Sequence, residues 1–231
     1  PDHLDIYKDY HAIVDSFTQF ASQTSGMLLA HESVNLTRPI SYGFSPENAW
    51  YLTDVELTKS GTNFKIHAKD NSTITVRVPF YGNHNLLNAL AAYVMAKEIV
   101  SFEKLIPIFN TLPLAKRRAS KLFENNQVVF YDDYAHHPSE IKAMHQLLRS
   151  RYQNRSITAI FQPHLYSRTR DFAKEFTKVL GLFDQVWILP IYPAREIPIE
   201  GVSSALLLNG DAQLELVSKE EVLSRISVKA P

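Results

Sequence analysis

Residues 127–141 read QVVFYDDYAHHPSEI. The apolar, β-rich run Val128–Tyr131 ends in Asp132 and Asp133, then Tyr134, the pair His136-His137 and Pro138. Proline is favoured at the first helical position, where the N–H it lacks would be unpaired anyway. Pro138 thus predicts a strand-to-helix crossing, with a helix over Ser139–Arg151. In open α/β sheets, ligands sit beyond the carboxyl ends of strands at such crossings. Asp132, Asp133, Tyr134, His136 and His137 therefore stand where a site is expected. A capped polar loop would explain the same letters, and the choice turns on what the rest of the chain supplies.

Downstream, apolar and helical runs alternate. Strands are expected at Ile157–Phe161, Gln185–Leu189 and Gln213–Val217. Helices are expected at Asp171–Leu182, near Ser203–Leu208 and from Lys219. Strands separated by helices of this length mean βαβ units and a parallel sheet. Two more strand ends carry dense polar loops: Gln162–Asp171, with His164, Arg168 and Arg170, and Pro190–Glu196, with Arg195 and Glu196. With the 132–138 loop, three consecutive carboxyl-end loops would meet on one rim. Arginines on that rim suit an anionic ligand, because the guanidinium fork pairs with two oxygens at once.

Upstream, Ile13, Phe17 and Phe20 keep helical spacing, and Asp2, His3 and Asp5 precede them. Those three could bind a divalent cation or simply start a helix. Residues 27–79 read as a β-meander of Met27–Ala30, Ile40–Phe44, Ala49–Thr58, Phe64–Ala68 and Thr73–Val78, with turns at Gly61 and Asn71. Gly82-Asn83-His84-Asn85 then opens a helix with Leu87, Leu90, Ala91 and Val94 at a 3.6-residue period. Asn85 and Asn88 are three apart and so share a face; a carboxamide's donor and acceptor match adenine N6 and N7. A further helix covers Phe102–Leu112. The basic run Lys116-Arg117-Arg118 then marks the domain boundary, giving domains 1–113 and 114–231. Such a run is ordinarily a solvated surface; at a cleft it would neutralise phosphates.

The 231 residues hold 24 Lys+Arg against 24 Asp+Glu, so no global field argues for nucleic acid or a membrane surface. Without cysteine there is no disulfide framework, thiolate metal site or cysteine nucleophile. No apolar run approaches the roughly 18 residues of a spanning helix, and PDHLDIY is not a signal peptide, so a soluble cytoplasmic protein is expected. The absence of an initiator methionine and the abrupt ends suggest an excised segment. There is no G-x-x-x-x-G-K-[ST] or G-x-G-x-x-G loop, and only seven glycines. The residues alone lead to an α/β protein using a nucleotide or phosphate, without its phosphate cradle.

DHLDIY, GNHNLLNALAA, KRR, YDDYAHHPSEI, FQPHLYSRTRDFAKEF and YPAREIPIEGVSS, in this order, resemble the Mur ligases of peptidoglycan synthesis. The resemblance implies the later part of a central ATPase domain, followed by most of a Rossmann-like C-terminal domain. The UDP-binding domain and phosphate loop would lie upstream of Pro1. The FQPH–SRTRD and YPARE blocks point to the family activity that joins L-alanine to UDP-N-acetylmuramate. In that reaction ATP phosphorylates the muramoyl carboxylate, Mg2+ bridges the phosphates, and the amino group attacks the acyl-phosphate.

By the same resemblance, His3 would help hold magnesium, and His84, Asn85 and Asn88 would bind adenine. Arg118 would reach ATP phosphates, and Asp133 would lie beside the nucleotide. Tyr134, His136, His137 and Arg168 would face the muramoyl group and the amino acid. Arg170, Arg195 and Glu196 would touch substrate or orient loops. Arg118, His136 and Arg168 are the candidate catalytic residues. Three positions depart from the family pattern: Leu165 stands in place of an arginine, Ala119 in place of an aromatic, and Ile197 interrupts an acidic pair. Rival readings are the family member that attaches a ready-made tripeptide, a non-catalytic nucleotide-binding module, and a metal hydrolase built on His136 and His137. Adjacent histidines project apart, which weighs against the last.

Overall fold

The computed structural model describes residues 7, 9–113, 115–208 and 210–229. The chain divides into two compact units, Pro1–Leu114 and Ala115–Pro231. No helix among the described residues is long and apolar enough to cross a membrane.

The first unit begins with α1 (Tyr10–Gln23), capped by the Asp9 carboxylate, which accepts the Ala12 N–H at 2.9 Å. A five-stranded sheet follows, with β1 (Leu29–His31), β2 (Ile40–Gly43), β3 (Trp50–Thr58), β4 (Gly61–Ala68) and β5 (Thr73–Val78) in sequence order. The expected meander holds only for β3–β5; β1–β2 and β2–β3 pair in parallel, which makes the sheet mixed. Parallel neighbours normally need a long crossover. Here β2 and β3 overlap by two residue pairs only, Tyr42 with Trp50 and Gly43 with Tyr51, so a short connection suffices.

The Glu32 carboxylate folds that connection by accepting Phe44 N, Ser45 N and Asn48 Nδ2. Burial would raise its pKa, yet these bonds and the nearby His31 leave it below the ordinary glutamate value. A Cβ at Gly43 would meet the end of the Glu32 side chain, which would have to move from the connection it holds.

β4 lies between β3 and β5, and its alternate residues Phe64 and Ile66 point into the core. They meet Leu52, Val76 and Val78 from the sheet. Leu86, Leu90 and Val94 cover them from α2 (Asn83–Ala96), and Leu105 and Phe109 from α3 (Phe102–Phe109). The expected α2 thus forms with its apolar face inward. The helix expected over Phe102–Leu112 ends earlier, at Phe109.

The second unit starts with β6 (Ser120–Glu124), absent from the sequence expectations, paired antiparallel to β7 (Val129–Asp132). Asn125 makes this hairpin: its Oδ1 accepts Gln127 N at 2.8 Å and Val128 N at 2.7 Å, an Asx turn. Next come α4 (Pro138–Arg151), β8 (Thr158–Phe161), α5 (Tyr166–Asp171), α6 (Ala173–Leu180) and β9 (Gln185–Ile188). A 3-10 turn (Ser204–Leu207), β10 (Leu214–Leu216) and α7 (Lys219–Lys229) complete the unit.

β8, β9 and β10 form the expected parallel sheet in the order β10-β9-β8. Its central strand β9 is buried on both faces, as parallel sheets require. β7 does not join this ladder; its partner is β6. A cavity of about 450 Å3 separates β7 from β8, lined by Val129, Tyr131, Met144, Ala159 and Phe161 among others. Beneath the sheet, Ile141 of α4 and Phe176, Val179 and Leu180 of α6 pack on Phe161, Val186 and Ile188.

The helix expected over Asp171–Leu182 begins earlier and breaks at Phe172, whose φ of −112° and ψ of 19° interrupt it. Ser167, Arg168 and Arg170, expected in a loop, therefore ride on α5.

Phe64 is fully buried (0 % exposed) in the first unit. Phe64→Ala should cost about 3–5 kcal/mol in that unit, from lost transfer energy plus an unfilled cavity. Urea unfolding followed by circular dichroism would show a lowered midpoint, and an unchanged midpoint would contradict this core.

Candidate functional site

In the second unit, the crossing anticipated at Pro138 forms as expected. Proline occupies the first turn of α4, His137 is the N-cap, and a capping box closes with Glu140. The His137 Nδ1 accepts Ser139 N at 3.3 Å and its ring packs edge-on against Phe172 at 5.0 Å. His137, expected to face substrate, thus has a structural task as helix cap.

His136 has different ring neighbours, Tyr134 and His164. Its Nδ1 lies 3.0 Å from the Tyr134 carbonyl, which can only accept, so Nδ1 is the donor in that bond. The Glu140 carboxylate accepts His136 N at 2.9 Å and His137 N at 3.2 Å, and it lies 3.6 Å from Arg118 Nη1.

The basic run is folded onto this loop. Asp133 takes Ala119 N on one oxygen at 2.6 Å and Ala135 N on the other at 2.8 Å. The Arg117 carbonyl accepts Tyr134 N at 2.7 Å, while the Arg117 guanidinium lies 4.7 Å over the Tyr134 ring. The cation and the electron-rich ring face attract each other.

From Tyr134 a row of rings runs across all three loops. Tyr134 and His136 are 5.1 Å apart, His136 and His164 6.3 Å, and His164 and Tyr192 5.6 Å. A bridge between His164 and Tyr192 extends the β8–β9 pairing beyond the strands, with Leu165 N donating to the Tyr192 carbonyl at 3.0 Å. The three loops therefore converge on one rim, as the sequence suggested.

Arg168, on α5, is only 9 % exposed, and its Nη1 lies 3.5 Å from His164 Nδ1. Glu196 holds α5 in place by accepting Ser167 N at 3.0 Å and the Ser167 hydroxyl. Its own burial would raise its pKa, but those bonds, the Tyr166 backbone and the Arg168 charge leave it lowered.

Arg170 and Arg195 take no part in this row. Arg170 is exposed and pairs with the adjacent Asp171 at 2.7 Å. Arg195 is exposed, and no hydrogen bond or ion pair joins it to a described residue. Among the described residues, four of the seven non-glycine positions with positive φ belong to these loops or to the basic turn: Arg117 (61°), Ala119 (49°), Leu165 (71°) and Ala194 (50°). Each such conformation costs on the order of 1–3 kcal/mol and tends to persist at functional sites.

In the first unit, Gly82 (φ 95°) opens α2 with no side-chain cap. Asn85 is 3 % exposed, and its Nδ2 donates to the Tyr81 carbonyl at 2.8 Å, bracing the loop. Asn88 is exposed. The two carboxamides expected to act together are thus divided between the interior and the surface, and His84 lies half-buried beside Gly82. His3 lies outside the described residues. No cluster of three or more His, Asp or Glu able to hold a metal occurs among the described residues.

Glu140 was not anticipated as a site residue, and Arg117, His164 and Tyr192 were anticipated only as members of the basic run and the rim loops, with no role of their own. Glu140 could have been found from the capping-box spacing, His137 to Glu140. The pairing of His164 with Tyr192 has no local signature.

The profile of the Mur ligase middle domain matches residues 1–96, and that of the Mur ligase glutamate ligase domain matches residues 117–230. A UDP-N-acetylmuramate–L-alanine ligase of Cytophaga hutchinsonii is 35 % identical over 98 % of this chain and 51 % of its own length. One from Christiangramia forsetii is 37 % identical over 99 % of this chain and 51 % of its own. The chain thus spans about half the length of the curated relatives it matches. The crystal structure of a UDP-N-acetylmuramate–alanine ligase from Thermotoga maritima superposes with a TM-score of 0.74 at 19 % identity, covering 97 % of this chain and 50 % of that one. A ligase from the same organism solved with ADP gives 0.70 at 15 % identity, over 100 % of this chain and 54 % of its own.

A carboxyl whose folded pKa is depressed adds stability that is full above its unfolded value, about 4.3 for glutamate, and lost as pH falls through the lower folded value. Glu196→Gln should therefore lower the melting temperature of the second unit at neutral pH. The gap from wild type should close in acid below about pH 4. Melting curves of both proteins from acid to neutral pH check this; a gap independent of pH would contradict it.

Proposed function

The chain belongs to the Mur ligase family, and on that premise we propose that it forms part of an ATP-dependent ligase joining L-alanine to UDP-N-acetylmuramate in peptidoglycan synthesis. Residues 1–113 would be the C-terminal part of the central ATPase domain, and residues 114–231 most of the C-terminal domain. The UDP-binding domain and the ATP phosphate loop would come from other parts of the same protein, so these 231 residues alone would not catalyse. The relatives that carry this activity are about twice as long, which supports that reading.

The observation that carries the proposal is the continuous row from Arg117 through Tyr134, His136 and His164 to Tyr192, with Arg168 buried beside it. Such a rim suits an anionic substrate that also offers an amine. In the proposed reaction ATP phosphorylates the muramoyl carboxylate. The L-alanine nitrogen then attacks the acyl carbon, the C–N bond forms, and the C–O bond to phosphate breaks as phosphate leaves. Attack requires a neutral amine, and the His136 imidazole would take the proton.

Arg168 would bind the carboxylate of the incoming amino acid, since a guanidinium presents two parallel donors to two oxygens. Arg118 would reach ATP phosphates with Asp133 beside the nucleotide. Asn88, with His84 and Asn85 supporting the loop, would read adenine. Tyr134 would line the substrate rim. Magnesium would neutralise phosphate charge during transfer, and no cluster among the described residues fits it.

The full-length protein should consume ATP in the presence of UDP-N-acetylmuramate and L-alanine, while the 231-residue chain should not. Turnover with a free, ready-made tripeptide in place of L-alanine, and none with alanine, would instead identify the recycling ligase. Within the full-length protein, His136→Ala and Arg168→Ala should lower kcat about a hundredfold with little change in KM for ATP. Asn88→Leu should do the reverse, raising KM for ATP. A selective loss of ATP binding in the first two variants would contradict the roles given them.

A further inference from the structure

Glu140 makes more contacts across the site than any helix cap requires. One oxygen accepts the backbone N–H of both His136 and His137 and lies 3.5 Å from His136 Nδ1. The other lies 3.6 Å from Arg118 Nη1, and the carboxylate is about one-third exposed. The cap alone needs only the two backbone bonds. Arg118 lies in a turn strained at Arg117 and Ala119, so no regular ladder fixes its direction.

We propose that Glu140 is a positioning residue that holds the Arg118 guanidinium in register with the His136 loop. One carboxylate thereby sets the nucleotide-side cation and the substrate-side imidazole relative to each other. The partners are partly exposed, so the pairing adds little to overall stability; its effect is on direction. This inference rests on the roles of Arg118 and His136 proposed above.

Glu140→Gln separates the two tasks. The amide oxygen still accepts the His136 and His137 N–H groups, as glutamine does in capping boxes, but the charge facing Arg118 is gone. In the full-length protein, Glu140→Gln should leave the melting temperature nearly unchanged and reduce kcat/KM for ATP about fivefold. Combined with Arg118→Ala, it should lower activity no further than Arg118→Ala alone, because both changes remove one coupled element. Additive losses, or full activity in Glu140→Gln, would overturn the proposal.

A second readout needs no catalysis. In the 231-residue chain, Glu140→Gln should speed hydrogen exchange at the Ala119 and Tyr134 amides about fivefold while His136 and His137 stay protected. Unchanged exchange at Ala119 and Tyr134 would reject the positioning role on its own. If exchange changes as expected but the wild-type full-length protein ligates nothing, the positioning stands and the functional reading fails.

Discussion

A single carboxylate, that of Asp133, ties the second unit's basic turn to its histidine loop. Its two oxygens take backbone N–H groups from opposite sides, Ala119 at 2.6 Å and Ala135 at 2.8 Å. Bonds to an ionised acceptor are roughly twice as strong as neutral ones, and here they offset two positive-φ residues in the Arg117–Ala119 turn. Everything else on that side follows from the clasp. Arg117 lies over Tyr134, Arg118 comes within reach of Glu140, and Tyr134 takes its place at the head of the ring row. Losing the clasp would free the cations as an ordinary solvated run.

The other two loops are fixed by different means. Leu165 adopts a φ of 71°, unusual for a bulky residue, and so turns the chain from β8 into α5. Glu196 reaches back from the third loop to hold Ser167, and the His164–Tyr192 bridge stitches the same two loops together. Arg168 can stay buried because α5 carries it inward beside His164 and Glu196. A charged side chain so enclosed must be compensated, which commits this helix to its position. The rim is thus built by backbone strain and carboxylate latches on the ends of a rigid parallel sheet. Such rims are where α/β folds carry their sites.

In the first unit, the same logic separates two asparagines that look equivalent. Position 85 turns inward and spends its donor on the Tyr81 carbonyl, while position 88 remains on the surface. Only the exposed amide has both of its groups available to a planar ligand. The mixed sheet beneath owes its unusual parallel start to Glu32, whose carboxylate substitutes for the hydrogen bonds that a two-residue ladder cannot provide.

Local chemistry was legible from the letters. Pro138 fixed the start of α4 because its ring suits only the first turn, and the 3.6-residue period fixed α2, of whose expected apolar residues Leu90 and Val94 are buried while Leu87 and Ala91 are half-buried. The alternation of apolar and helical runs gave the parallel sheet, and the polar strand ends gave the three loops. What the letters could not give depends on partners distant in the chain. Strand β7 pairs with β6 instead of β8, α5 begins at Tyr166 because a strained leucine turns the chain, and Arg170 and Arg195 stay exposed outside the row that Arg168 joins. Periodicity reports which face of an element is apolar; which neighbour covers it, and which of several arginines turns inward, is decided only when the packed chain brings those neighbours together.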